Sequence, residues 1–345
     1  RQRQMCIRDR PLRVHTRGKF MISRVLLAAV LASLCLSAPA RAASFDCAKA
    51  SSPRENAVCS DENLSKADEE IAVHYTSALK RLSVEGADRL RAGQRSWLAF
   101  LDKACPAGGT TGCLVPWYEE RVSFLRDAVK EGGGNTFLVS DAWRFISPAK
   151  EGEEEITGSN DMQYRQQLHF AIDAPESDGE RAFNAAIEER DDDLWTGFDG
   201  ETRMDTRIAL NGATDDLVSA DLFVWQFPLG AAHGFGAAAH VNFRLDEARP
   251  LRANDLFARE GWNEALANAV LAELRANEDL VFFDGLDETV REMAARPENW
   301  VLAEQGLGVN FPVYSIGPYA MGDHTIAVPW EKLEAWLAAP VPFAR

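Results

Sequence analysis

Histidine and aspartate side chains are the groups of this sequence that would most readily do catalytic or metal chemistry. His233 lies in a glycine-rich stretch and is the best single candidate, with His240 and the pair Asp323-His324 as groups that could join it. No H-x-x-x-H or H-E-x-x-H spacing accompanies them, and no nucleophile and base stand at a familiar spacing. The pattern favours a histidine that stabilises its loop through hydrogen bonds. No enzyme activity, no metal and no cofactor are predicted.

Four cysteines, Cys47, Cys59, Cys105 and Cys113, carry the other chemistry, and the 232 residues that follow contain none. Their even number, together with the export signal described below, predicts two disulfides. A zinc site is the competing use, but no C-x-x-C pair is present. Three pairings are compatible with the sequence. The short loop after Cys105, with its proline and glycines, favours Cys105–Cys113 and hence Cys47–Cys59.

The first 42 residues predict an exported protein. Residues 1–20 are basic and aperiodic and are interpreted as a non-native leader, with translation starting at Met21. The segment that follows is typical of a signal peptide. It contains an arginine, an apolar run too short to span a bilayer, and a small-x-small site ending at Ala42. Cleavage after Ala42 is favoured over lipid attachment at Cys35. No later segment has the apolar length of a membrane span, so the mature chain is expected in the periplasm or outside the cell.

Charge limits the class of partner. The whole chain has a net charge of −16, and without residues 1–42 it has 28 basic and 52 acidic residues, a net charge of −24. Such a surface repels nucleic acid and anionic membranes and attracts cationic proteins. No nucleic-acid partner is predicted. The acidity alone is more simply explained as a means of keeping the protein soluble.

Helical patterns organise residues 43–131. The segment Ser52-Pro53-Arg54-Glu55 has the pattern of a capping box at a helix start. Three apolar stripes with helical spacing follow, which predicts a three-helix domain stapled by disulfides. The stripes comprise Leu64, Ala67, Ile71, Tyr75, Ala78 and Leu82; then Leu90, Trp97, Leu101 and Ala104; then Leu114, Tyr118, Val122, Leu125 and Val129.

A different periodicity begins after residues 132–137, where the glycines predict a flexible linker. Residues 138–345 mix strand and helix patterns without strict β-α-β alternation, which predicts an α+β domain with a mainly antiparallel sheet. Strands are expected near 139–146, 166–172, 203–210, 221–227, 238–245, 307–314 and 325–328, and helices near 181–194, 262–276 and 329–337.

The helical region resembles the LprI-type lysozyme-inhibitor N-terminal domain over residues 45–126. The resemblance rests on the four cysteines together with Phe45-Asp46, Glu55, Ser60-Asp61, Leu64, Asp68, Tyr75, Gln94-Arg95-x-Trp97-Leu98, Asp102, Leu114, Tyr118 and Arg121. It implies recognition of a lysozyme, with Gln94, Arg95 and Asp102 as candidate partner-binding residues. Interhelical hydrogen bonds and salt bridges explain these polar residues equally well. Leu101 departs from the arginine that is usual in the family.

The second region resembles the extracellular domain shared by the lysozyme-sensing anti-sigma factor RsiV and by modules attached to peptidoglycan deacetylases. The resemblance covers about residues 138–340 and rests on Ala232-His233-Gly234, Asn242-Phe243-x-Leu245, Leu251, Asp255-Leu256-Phe257, Gly306-Leu307, Phe311, Tyr314, Pro318-Tyr319-Ala320-x-Gly322 and Pro329. It too implies lysozyme binding. His233, Pro318 and Tyr319 are its candidate partner-binding residues, with Tyr319 as an aromatic anchor.

The sequence thus predicts an exported periplasmic protein that binds or inhibits a cationic wall hydrolase of the lysozyme type. The alternative is a non-inhibitory module of the cell envelope that binds peptidoglycan or an endogenous envelope protein. A hydrolase that uses His233 is a third, minor hypothesis.

Overall fold

A computed structural model describes residues 43–106, 111–147, 162–195, 202–228, 231–339 and 342–343. The leader and the signal peptide predicted for residues 1–42 lie outside these ranges. The described residues from Ala43 onward belong to one compact unit. Within them, no helix has both the length and the apolar character needed to cross a membrane.

Four helices form the N-terminal region. They are α1 Pro53–Ser60, α2 Glu62–Arg81, α3 Val84–Ala104 and α4 Thr111–Asp127. The predicted capping box begins α1: the Glu55 backbone N–H donates to Ser52 Oγ at 3.1 Å, and the Glu55 carboxylate accepts from the Ser52 backbone N–H at 2.9 Å. Backbone hydrogen bonds from Ser51 and Ser52 lower the pKa of Glu55 to about 2. The predicted helical region is confirmed, with α1 as a short additional helix before the three long ones.

Both predicted disulfides are present. Cys47–Cys59 joins the segment before α1 to the end of that helix, and Cys105–Cys113 joins the end of α3 to the start of α4. The favoured pairing is confirmed. All four sulfurs are used in these bonds, so the competing zinc site is wrong.

Replacing Cys47 and Cys59 by alanine is expected to lower the free energy of unfolding by about 2–4 kcal/mol, because the bridge restricts the unfolded chain. Urea denaturation followed by circular dichroism measures the change. The matched control is the unmodified protein in reductant, which should lose at least as much stability. A double variant as stable as the parent would mean that packing around the buried Val58 holds α1 without the bridge.

Among the described residues, seven strands form the larger sheet in chain order. They are β1 Val129–Gly132, β2 Asn135–Ser147, β3 Gln163–Ile172, β4 Arg203–Ala213, β5 Leu217–Phe227, β6 Phe235–Arg244 and β7 Arg249–Pro250. All neighbouring pairs are antiparallel except β3 and β4. These two strands run parallel because a helix, α5 Asp178–Trp195, crosses between them.

The remaining elements build a second layer. Three helices, α6 Ala253–Leu256, α7 Trp262–Ala276 and α8 Leu286–Ala294, accompany an antiparallel sheet of β8 Trp300–Ala303, β9 Gly306–Phe311 and β10 His324–Pro329. The predicted α+β class is confirmed. The closing helix predicted at 329–337 consists instead of two 3₁₀ turns, Trp330–Lys332 and Glu334–Trp336. Burial of Trp330 and Leu333, three residues apart, suits the 3₁₀ spacing.

Residues 132–137, predicted to be a flexible linker, form the turn of a β-hairpin and the beginning of β2. Gly133 and Gly134 have φ values of +53° and +71°, which a tight turn requires and glycine accepts without steric cost. A Cβ atom on Gly133 would lie 2.1 Å from the Thr214 carbonyl oxygen. These glycines therefore allow close backbone packing and do not form an open joint.

The helices and the larger sheet share one hydrophobic cluster, to which α3 contributes Trp97 and Phe100, α4 contributes Tyr118, and the sheet contributes Leu138 and Tyr164. The Phe100 ring centroid lies 5.4 Å from that of Tyr164 and 4.9 Å from that of Trp143. A second cluster lies between α5 and the larger sheet, and a third joins α7 and α8 to the smaller sheet. The core thus continues from the N-terminal helices into the larger sheet.

Candidate partner-binding site

Several residues that carry the helical resemblance, Arg121 among them, lie inside the protein. Arg121 is 2% exposed; its Nε donates to Gln94 Oε1 at 2.9 Å, and its Nη1 pairs with the Asp141 carboxylate on β2. The Trp97 and Phe124 rings lie against the guanidinium, with centroids 5.3 and 4.6 Å from Cζ. Burial lowers the pKa of Arg121, and the Asp141 charge opposes that lowering. Gln94 is therefore a half-buried partner of Arg121.

Arg95 and Asp102 lie on the exposed side of α3. Asp102 Oδ1 accepts a hydrogen bond from Arg54 Nε at 2.9 Å, which ties α1 to α3. Within the part of the chain that the structure describes, the Arg95 side chain has no ion pair or hydrogen bond. Arg95 is thus the candidate from this region that is free to contact a partner.

Loops of the C-terminal region bring His233, Pro318 and Tyr319 together. The Tyr319 hydroxyl donates a hydrogen bond to the Gly234 carbonyl oxygen, and the Tyr319 ring centroid lies 4.2 Å from that of His233. His233 Nδ1 is 3.0 Å from the same carbonyl oxygen. Pro318 is exposed beside them. Two motifs of the second resemblance, the one around His233 and the one around Tyr319, are far apart in the chain but contact each other in the structure.

Tyr314 extends this contact at the surface. Its ring centroid lies 5.7 Å from that of Tyr319, and its side chain is 59% exposed. Its φ of +67° is costly for a bulky L-residue and is a feature found disproportionately at functional sites. Such an exposed and strained tyrosine indicates a contact surface.

Two apolar residues of a neighbouring loop complete the surface. Val281 and Phe283 are 67% and 47% exposed. The Phe283 backbone N–H donates to the Ile316 carbonyl oxygen at 2.9 Å, which holds this loop against the one that carries Tyr314. In the sequence, Val281 and Phe283 are marked only by the apolar run 280–283, which matches no known motif. We call this the aromatic loop surface, formed by His233, Val281, Phe283, Tyr314, Pro318 and Tyr319.

Among the described residues, no hydrogen bond or ring contact joins the other histidine candidates to His233. His240 Nδ1 lies 2.7 Å from Asp221 Oδ1 on the neighbouring strand. Burial acts to lower the pKa of His240, but the hydrogen bond and charge of Asp221 outweigh it and raise the pKa. Asp323 accepts a hydrogen bond from Asn310 Nδ2 at 2.7 Å. Among the described residues, no three His, Cys, Asp or Glu side chains are grouped so that they could hold a metal ion.

Replacing Tyr319 by phenylalanine is expected to lower the free energy of unfolding by about 1 kcal/mol, because it removes the hydrogen bond to Gly234. Amide hydrogen exchange should become faster in residues 231–236 and 312–322. Tyr314→Phe is the matched control, because the Tyr314 hydroxyl has no hydrogen-bond partner among the described residues. Equal exchange in the two variants would mean that the bond does not hold the loops together.

Two family models match the chain. One is described as lysozyme inhibitor LprI and matches residues 47–125; the other is described as a protein of unknown function, DUF3298, and matches residues 254–331. No curated protein matches. Among solved structures, a DUF3298 family member from Bacteroides fragilis has a TM-score of 0.43 and 17% identity, covering 61% of this chain and 96% of its own. A DUF3298 family protein from Pseudomonas aeruginosa has a TM-score of 0.41 and 14% identity, covering 61% and 98%.

These matches confirm both resemblances seen in the sequence: residues 47–125 carry the pattern of the LprI lysozyme-inhibitor family, and residues 254–331 that of the DUF3298 family.

Proposed function

We propose that the protein is exported to the periplasm, is not an enzyme, and binds and inhibits a cationic wall hydrolase of the lysozyme type. The observation that carries this proposal is the match of residues 47–125 to the lysozyme-inhibitor family. Two disulfides in that region fit an oxidising compartment outside the cytoplasm. Neither matched family is described as an enzyme.

Charge supports a cationic partner. With 52 acidic and 28 basic residues after residue 42, the protein has a negative field that would speed its encounter with a basic protein. Glu278, Asp279 and Asp284 are exposed on the loop that also carries Val281 and Phe283. Acidic side chains thus lie beside apolar anchors, an arrangement in which charge guides association and aromatic burial supplies affinity.

The proposal predicts a complex with hen-type lysozyme that weakens with salt. Calorimetric titration of the mature protein is expected to show binding at low ionic strength, with affinity falling by about tenfold or more at high ionic strength as salt screens the charges. The lytic activity of lysozyme should fall as the protein is added. Full lytic activity with the protein in excess, and no complex at low salt, would refute the proposal.

Variants locate the contact. Tyr314→Ser and Phe283→Ser are each expected to weaken binding by about 2 kcal/mol if the aromatic loop surface is used. Val73→Ser is the matched control, because Val73 is 65% exposed on α2, outside that surface. Arg95→Ala tests the helical region in the same way. A loss of affinity in Arg95→Ala alone would assign the contact to α3.

The second candidate function is that of a non-inhibitory envelope module, which binds either peptidoglycan or an endogenous envelope protein. The burial of Trp97, Tyr118 and Arg121 favours it, because folding alone then explains much of the helical motif. Retention of the mature protein on purified murein, compared with retention on immobilised lysozyme, separates the two functions.

A further inference from the structure

A cleft of about 1110 Å³ lies between the second half of α4 and one face of the larger sheet. Residues of β1 and β2 line it beside α4, and β3, β4 and β5 line it on the sheet. It does not include any residue of the aromatic loop surface.

The pairing of β3 with β4 gives the cleft its floor. The register of this parallel pair contains the single match Arg165 with Met204. Further along, a side chain bridges the two strands: Thr206 Oγ1 accepts from the Leu168 backbone N–H at 2.9 Å and donates to the Gln166 carbonyl oxygen at 3.0 Å. Buried polar groups therefore support the strands from which the cleft side chains project.

Aromatic rings and guanidinium groups alternate along the floor. Arg203 Cζ lies 4.9 Å from the Tyr164 ring centroid, and Arg203 Nη2 donates to the Tyr164 hydroxyl at 3.0 Å. Arg207 Cζ lies 5.8 Å from the Phe223 ring centroid, and Trp225 follows on the same strand. Flat apolar faces thus stand next to planar hydrogen-bond donors.

Two cations of the cleft lack a carboxylate partner among the residues that the structure describes. Within the described residues, neither Lys130 nor Arg207 makes a side-chain ion pair or hydrogen bond, whereas Arg203 pairs with Asp205 at 3.2 Å. Two such cations in one cleft are notable in a chain with a large excess of acidic residues. An anionic group bound between them would offset their charge.

The acidic groups of the cleft are compatible with an anionic ligand. Desolvation and the nearby charge of Asp205 raise the pKa of Glu120 above its usual range. Asp127 pairs with Arg126 at 3.2 Å. The remaining polar lining includes Ser123 and Gln166, which suit a ligand rich in hydroxyl groups. A purely apolar ligand would leave these groups without hydrogen bonds at a cost in affinity.

We propose that this cleft binds an acidic saccharide. Sugar rings pack on the faces of Phe223 and Trp225, and a carboxylate on the sugar pairs with Arg207 and Lys130. The inference goes beyond the proposed function and does not depend on it, because it uses a different surface of the protein.

Calorimetric titration of the mature protein with four probes tests the chemistry. They are the disaccharide of N-acetylglucosamine and N-acetylmuramic acid, digalacturonic acid, neutral chitobiose, and lactate. Binding of at least one acidic disaccharide, with chitobiose about tenfold weaker or more and lactate not bound, supports the proposal. The comparison of the two acidic disaccharides shows whether a wall sugar or acidic sugars in general are preferred. Failure of both acidic disaccharides to bind, or equal binding of chitobiose, would overturn it.

Variants assign the binding to the cleft. Arg207→Gln and Trp225→Leu are each expected to weaken binding of the acidic disaccharide by about tenfold. Arg259→Gln is the matched control, because Arg259 is an exposed arginine that does not line the cleft. Arg207 is itself exposed, so Arg207→Gln should retain the parent's thermal stability. Unchanged affinity in a folded Arg207→Gln protein contradicts the assignment.

Discussion

Replacing Asp141 by alanine is expected to lower the free energy of unfolding by about 3–5 kcal/mol, the largest loss for any single ion pair among the described residues. The Arg121 and Asp141 side chains are 1% and 0% exposed, so the substitution would leave a buried guanidinium without its partner. It would also remove the acceptor for Trp143 Nε1, which lies 2.5 Å from Asp141 Oδ2. Urea denaturation followed by tryptophan fluorescence and circular dichroism measures the loss.

Two controls make this prediction specific. The double variant Arg121→Met with Asp141→Leu should be more stable than Asp141→Ala, because apolar groups of similar size replace both charges. Arg81→Met breaks the exposed pair between Arg81 and Glu131 and should cost no more than about 1 kcal/mol. If Asp141→Ala behaves like Arg81→Met, the Arg121 guanidinium must reach water in solution.

Replacing Trp300 by alanine is expected to cost about 3–5 kcal/mol as well, through a cavity in the core of the second layer. Trp300 is fully buried, its Nε1 donates to the Ala294 carbonyl oxygen at 2.8 Å, and its ring meets Phe257 and Trp262 edge-on at 5.6 Å. Thermal unfolding by calorimetry measures the change. The unfolding of the parent, recorded in the same way, should show a single transition, because β8 of the second layer contacts β4, β5 and β6 of the larger sheet.

Trp300→Phe is the matched variant for this position. It keeps an aromatic ring in the core and loses the hydrogen bond and part of the volume, so it should cost distinctly less than the alanine variant. Equal losses would mean that the hydrogen bond, and not the packed volume, dominates. A loss below about 1 kcal/mol for Trp300→Ala would mean that the surrounding side chains close the cavity.

Local patterns explain why much of the fold was predictable. The capping box at Ser52 and Glu55 depends on residues three apart, and the alternation in β3 and β5 depends on neighbours two apart. The turn at Gly133 was not predictable in this way. Consecutive glycines suit both a flexible linker and a tight turn, and the proximity of Thr214 that distinguishes the two is a tertiary contact.

In the candidate site, too, tertiary contacts could not be predicted from local sequence patterns. His233, Pro318 and Tyr319 belong to two motifs, but the hydrogen bond from Tyr319 to Gly234 joins residues 85 positions apart, and no local pattern encodes it. Gln94 was identified as a partner-binding candidate because its type and neighbours fit the motif. Its position in the structure is set by Arg121, which lies 27 positions later and pairs with the carboxylate of Asp141 on β2.

The buried pair of Arg121 and Asp141 also bears on how this architecture can be divided. A gene fragment that ends at the glycines after β1 would encode Arg121 without Asp141, so the buried arginine would have no counterion. It would also expose the face of Phe100 that packs on Tyr164. We therefore expect helices α1–α4 to be inherited, exchanged and expressed together with the sheet beneath them, although their sequence pattern alone suggests an independent module.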